Sequence, residues 1–146
     1  MKNKQTAVLS YFRKTIKAIP SINYVGIYPA FEEISHDNYP AVLIRDGNES
    51  LDEDFGFNGI YSYIYTVQVY LYQMNQKLRF DCLNVQASIS DAILDDPTLG
   101  GAAMCCNLSS VEKGDYTISP DLSTAFISEE DNMRILSFAV KISTTR

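Results

Sequence analysis

The chain has 146 residues, 46% hydrophobic and 21% charged, which is typical of one soluble globular domain covering residues 1–146. A formal net charge of −6 disfavours a protein that grips nucleic acid through clustered lysine and arginine. The charge is uneven: five of the 12 basic residues, and none of the 18 acidic ones, lie within residues 1–31.

The first half of the chain predicts one helix followed by three strands. Residues 2–19 predict an amphipathic helix, with Arg13, Lys14 and Lys17 beside its apolar face. The apolar face contains Val8, Leu9, Phe12, Ile16 and Ile19. Apolar, β-branched runs at 22–29 and 41–45 predict two short strands. The acidic, glycine-containing segment 46–59 predicts a long exposed loop or an extended arm. Residues 60–72 alternate as a long strand with one continuously apolar face.

The second half predicts a helix at 76–94, a turn, a strand of small residues and a final strand at 133–142, with a polar segment at 119–131 before it. The order α-β-β-β-α-β-β predicts an α+β fold with a mostly antiparallel sheet, both helices on one face and a long loop between the second and third strands. The other sheet face, carrying Tyr70 and Tyr72, would then be open to water, a ligand or another subunit.

Residues with catalytic or metal-binding chemistry are few. Asp95 and Asp96 are adjacent, so their carboxylates point in different directions unless a turn brings them together. Cys105 or Cys106 could act as a nucleophile only with a base, and the single histidine, His36, lies far away in sequence. We therefore expect no enzyme, no cofactor and no metal site, and we expect the three cysteines to be buried thiols. The uncharged stretch 55–76 contains too many polar residues for a membrane span.

The stretch "SDAILDDPTLGG", residues 90–101, with the flanking strands "IYSYIYTVQVYLY" and "RILSFAVKI", resembles the tail terminator and head-tail joining proteins of long-tailed bacteriophages. The resemblance implies a structural protein of the virion that assembles, in the host cytoplasm, into a hexameric ring in the phage neck. Its partners would be its own copies, the tail tube protein and the head-side connector, with DNA passing through unbound. Five residues would form a structural corner: Asp96, Pro97, Leu99, Gly100 and Gly101.

Charge suggests how ring subunits could meet. The basic helix of one subunit, with Arg13, Lys14 and Lys17, could face the acidic segment of the next. That segment carries Asp46, Glu49, Asp52, Glu53 and Asp54. Two other functions stay open: a cytosolic module that binds proteins through the tyrosine-rich sheet face, and a small α+β enzyme.

Overall fold

The computed structural model describes residues 4–27, 39–51, 60–74, 79–114 and 131–145. Its elements follow in the order α1 (Lys4–Lys17), β1 (Tyr24–Ile27), β2 (Ala41–Leu51), β3 (Ile60–Met74), α2 (Arg79–Leu94), β4 (Cys105–Gly114) and β5 (Asp131–Thr145). A short 3₁₀ turn, Leu99–Gly101, lies between α2 and β4. The predicted order and the α+β class are confirmed.

The five strands form one sheet in the order β1-β2-β3-β5-β4. β1 pairs in parallel with β2, and the other three pairs are antiparallel. β3 and β5 pair along all 15 residues of each strand, so they form the centre of the sheet. The sheet edges are β1, which pairs with Ala41–Ile44 only, and β4.

Both helices pack on the same sheet face, and the main core lies between them and the sheet. Helix α1 buries Val8, Phe12 and Ile16, which recur every four residues and therefore share one helix face. The ring of Phe12 meets that of Phe138 edge-on, with centroids 5.2 Å apart. Burial of each such side chain stabilises the fold by about 1.5–3 kcal/mol. Helix α2 adds Val85, Ile89 and Ile93 to the same core.

The second sheet face is half closed, and the prediction of an open face is wrong for that half. A second buried cluster contains Tyr39, Ala41, Leu43, Tyr70, Tyr72, Met133 and Ile135. Tyr70 is 3% exposed and Tyr72 is fully buried, with its ring stacked on Tyr39 at 6.5 Å between centroids. Neither tyrosine therefore offers a free surface on the single chain.

The prediction of a loop at 46–59 is wrong for residues 46–51, because β2 continues through them to Leu51. The pairing of β2 with β3 shifts between Asp46 and Glu49, so one extra residue on β2 bulges out of the ladder. Gly47 fits here because a Cβ on it would lie 2.5 Å from the carbonyl oxygen of Thr66. The rest of the predicted loop, residues 52–59, lies outside the described residues, as do most of the polar segment 119–131 and His36.

Candidate assembly surfaces

The chain turns from α2 into β4 at a corner formed around Asp96. Its carboxylate accepts hydrogen bonds from the Thr98 hydroxyl at 2.6 Å and from the backbone N–H groups of Thr98 at 3.1 Å and Gly100 at 2.9 Å. These three donors stabilise the ionised form, so the pKa of Asp96 is lowered from its usual value. Helix α2 ends at Leu94, before Asp96 and Pro97, because a proline disfavours helical geometry in the residue that precedes it.

The corner continues through three residues with positive φ. Leu99 has φ +51°, Gly100 φ +68° and Gly101 φ +91°. This left-handed conformation is sterically unfavourable for Leu99, because its Cβ lies close to the following carbonyl oxygen. The side chain of Leu99 is nevertheless 1% exposed and packs in the main core. The two glycines form a 3₁₀ turn with Leu99, and β4 begins at Cys105. The role of the corner is structural, since the Asp96 carboxylate accepts hydrogen bonds from the backbone of the turn.

Three basic residues of α1 lie together near the end of that helix. Arg13, Lys14 and Lys17 are all exposed, and Lys14 and Lys17 occupy the last turn, where a positive charge is favourable to the helix dipole. At the other end, the Lys4 ammonium donates to the Ser143 carbonyl at 2.8 Å. The ten residues of helix from Lys4 to Lys14 extend about 15 Å, so Lys4 lies far from the basic group at the other end of α1.

Two of the five predicted acidic residues lie on described backbone. Asp46 and Glu49 are exposed on β2, at the bulge. Both lie near the buried hydroxyl of Tyr65, whose pKa is raised, first by burial and then by these two carboxylates. Asp52, Glu53 and Asp54 lie outside the described residues. The predicted charge pairing between subunits therefore stays a prediction.

The open half of the second sheet face holds a polar concavity of about 420 Å³, which sequence reasoning missed. Arg45 on β2 lies at its wall and donates from Nη1 to the Tyr70 hydroxyl at 3.0 Å. Gln68 on β3 and Glu112 on β4 also line it. These side chains come from three strands far apart in sequence, so only the strand pairing brings them together.

A wider groove of about 850 Å³ runs between the two helices. Tyr11, Lys14 and Ile19 line one side, and Asp91 and Asp95 line the other. Asp95 is therefore at the surface of a shallow groove, while the neighbouring Asp96 is engaged in the corner. The two carboxylates have different surroundings and do not form a facing pair.

The cysteines differ in exposure, so the expectation of three buried thiols is wrong for one of them. Cys106 is 2% exposed, and burial raises its pKa to about 12. Cys105, on the opposite face of β4, is half-buried. The side chain of Cys82 lies outside the described part. A thiol with a pKa near 12 stays protonated at neutral pH, so Cys106 is a poor nucleophile.

Within the described ranges, no group of three or more histidine, cysteine, aspartate or glutamate side chains could hold a metal ion. Among the described helices, none is long and apolar enough to cross a membrane.

Comparison with known proteins gives similarity in structure and no match in sequence. No protein-family model matches the chain, and no curated protein matches it in sequence. Among solved structures, the chain is similar to the bacteriophage SPP1 gp17 protein, with a TM-score of 0.46 and 12% sequence identity. The alignment covers 98% of this chain and 91% of that protein.

Proposed function

We propose that the chain is a structural protein of a phage virion. Six copies would form a closed ring at the neck that ends the tail tube and joins tail to head, with a central channel for DNA. The observation that supports this most is the corner that follows α2. The motif "LDDPTLGG" carries the family resemblance, and its residues serve a structural purpose here, since Asp96 caps the turn and Leu99 enters the core.

A ring subunit needs two different surfaces, because a head-to-tail contact that closes by rotation joins unlike patches. The chain offers unlike patches in its charges. Arg13, Lys14 and Lys17 form an exposed basic group on α1, whereas Asp46 and Glu49 are exposed on β2. Opposite charges of this kind speed and orient the approach of two subunits more than they tighten the finished contact.

The overall charge also suits the proposed channel. Phosphates are held by clustered lysine and arginine, and a protein of net charge −6 has an acidic excess. An acidic channel wall repels DNA and lets it slide. The tail tube protein and the head-side connector would be the neighbours of the ring on its two sides.

The alternative functions receive less support from the described residues. The protein-binding module depended on an exposed tyrosine-rich face, and Tyr70 and Tyr72 are buried. The enzyme required a pocket that brings Asp95 or Asp96 near Cys105 or His36, and His36 lies outside the described residues. Asp96 is engaged in the corner and Cys106 is a buried thiol with a raised pKa. We therefore expect no catalytic activity.

Electron microscopy of the purified chain at high concentration tests the proposal. We expect annular particles with six-fold symmetry and a central opening. Particles with no ring at any concentration or salt would contradict it.

The charge contact is tested with a variant in which Asp52, Glu53 and Asp54 are all changed to serine. We expect this variant to form fewer rings than the native chain at low salt. At high salt the difference should shrink, because salt screens the charge steering. The matched control changes three other acidic residues to serine, namely Asp91, Asp95 and Glu112, which are exposed elsewhere. Unchanged assembly of the first variant at low and high salt would refute the charge contact and leave the ring itself in place.

A further inference from the structure

Helix α2 carries a second row of side chains, separate from the row that it buries in the main core. Leu83, Ala87, Ser90 and Leu94 follow one another at intervals of four, three and four residues. Residues at this spacing lie on one side of a helix, and the same spacing is found where two helices pack against each other. We call these four residues the outer row.

The outer row is accessible along its length. Leu83 is 44% exposed and is one of three large hydrophobic side chains that are exposed among the described residues. Ala87 is also exposed, and Ser90 and Leu94 are half-buried. Apolar side chains grouped on a protein surface mark sites of interaction with other proteins.

The polar groups around the outer row are already hydrogen-bonded within the helix. The Ser90 hydroxyl donates to the Ala87 carbonyl at 3.1 Å, and the Ser88 hydroxyl donates to the Asn84 carbonyl at 2.9 Å. A second protein can therefore cover these serines without leaving a buried hydroxyl unpaired, which would be costly. From Cys82 to Ser90 the sequence has no charged residue, as is typical of the centre of an interface.

The outer row has the same pattern of sizes in both directions. A leucine stands at each end and two small residues stand between them. In an antiparallel pair of α2 helices, Leu83 of one copy lies against Leu94 of the other, and Ala87 lies against Ser90. The small central residues let the two helix axes approach to about 8 Å, the lower end of the usual range. The outer row is therefore complementary to itself.

The charges of α2 favour the antiparallel direction. Asp91 and Asp95 are exposed near the C-terminal end of the helix. A parallel pair would bring the acidic ends of both copies together, whereas an antiparallel pair sets each acidic end beside the N-terminal half of its partner, where the helix dipole is positive. Asn84 lies seven residues before Asp91 and so on the same flank of the row, and its amide can donate to Asp91 of the second copy.

From these observations we infer that α2 pairs in antiparallel with α2 of a second copy, through the outer row. This two-fold contact goes beyond the proposed ring, because a head-to-tail ring joins unlike patches and a two-fold contact joins the same patch on both copies. It can join two free copies as well as two rings. The outer row spans 11 residues, or about 16 Å of helix, so the contact is small and forms at high protein concentration.

A disulfide between two different variants tests the inference. One chain carries Ala87→Cys and the other, with a tag that changes its mass, carries Ser90→Cys. Both chains also carry Cys82→Ser and Cys105→Ser, which remove two native thiols. At an axis separation of about 8 Å, Cα atoms on the facing sides of two helices come within the distance of about 4.4–6.8 Å that a disulfide requires. After mild oxidation of the mixture, we expect a reducible product that contains one chain of each kind.

Two controls accompany this mixture. Ser88→Cys places an exposed thiol on α2 outside the outer row, and its mixture with Ser90→Cys sets the level of random cross-linking. Leu83→Glu, added to both cross-linking chains, puts a charge into the contact and is expected to abolish the mixed product. Because Leu83 is 44% exposed, this variant should keep the fold, and urea unfolding checks that it does.

The outcomes separate this contact from the ring. Products of two like chains that equal or exceed the mixed product indicate a parallel pair and overturn the inference, as do products longer than two chains. If the mixture cross-links no more than the Ser88→Cys control while native mass shows a hexamer, the helix contact is wrong and the ring stands. A mixed product from a chain that forms no ring supports the helix contact and overturns the proposed function.

Discussion

Replacement of Leu99 by alanine and by glycine should give an unusual order of stability. Leu99 is 1% exposed in the main core and has φ +51°. Truncation of a buried leucine to alanine costs about 3 kcal/mol. In ordinary backbone, glycine is then worse than alanine by about 0.5–1 kcal/mol, because it loses more conformational entropy on folding.

At Leu99 the left-handed backbone reverses this order. A residue with a Cβ pays about 1–2 kcal/mol for that conformation, and glycine does not. We therefore expect Leu99→Gly to be as stable as Leu99→Ala or more stable, by up to about 1 kcal/mol. Both should remain folded, since a domain of ordinary stability has about 5–15 kcal/mol.

The assay is urea unfolding at 25 °C, with Ile89 as the matched control. Ile89 is fully buried in α2, where the backbone is helical. There we expect the glycine variant to be less stable than the alanine variant by about 1 kcal/mol. If glycine is worse than alanine by the same margin at both positions, the corner does not hold Leu99 in a left-handed conformation and the reasoning is refuted.

Three further outcomes follow from the described contacts. Gly47→Ala should lose about 1–3 kcal/mol in urea unfolding, because its Cβ would meet the Thr66 carbonyl oxygen, and a loss under about 0.5 kcal/mol would contradict the bulge geometry. Asp96→Ala should be less stable than the native chain at neutral pH. The difference in stability should narrow as pH falls below the ordinary aspartate pKa of about 3.9, because the lowered pKa of Asp96 stabilises the folded chain only while its carboxyl is ionised. A difference in thermal unfolding that does not change with pH would argue against this. Iodoacetamide at pH 8 should modify Cys105 in the folded chain well before Cys106, whose pKa is about 12, and equal rates by mass spectrometry would show that Cys106 is accessible.

The fold was predictable where the hydrophobic period is regular. Val8, Phe12 and Ile16 recur at helical spacing, and they are the residues that α1 buries. Along β3, Tyr65, Val67 and Val69 alternate with more polar residues, and all three lie in the helix-side core. In such segments the spacing of apolar residues within one helix or strand shows which side chains are buried, so the sequence alone is enough to predict them.

The extent of β2 could not be predicted in this way. The residues after Arg45, "DGNESL", have the composition of a loop, yet they form strand because β3 is long enough to pair with them. The bulge at Gly47 absorbs the mismatch, and the polar side chains reach water from an edge. Strand length here depends on the partner strand, which a local pattern does not contain.

The candidate surfaces were predicted only in part. The corner was accessible from sequence because proline and paired glycines have strong backbone preferences. The polar concavity around Arg45, Gln68 and Glu112 was not, since it is formed by four strands whose register the sequence does not specify. The burial of Tyr70 and Tyr72 was also missed, because an alternating strand pattern shows which residues share a face and not what covers it.

The mass of the native assembly tests the central claim most directly. One chain has a mass of 16.4 kDa, so a closed ring of six copies has a mass of about 98 kDa. Native mass spectrometry of the purified chain across a range of concentrations should show this species, without a series of open chains of increasing length. A monomer at every concentration, or a dimer that grows no further, would contradict the proposal that the protein is a ring subunit.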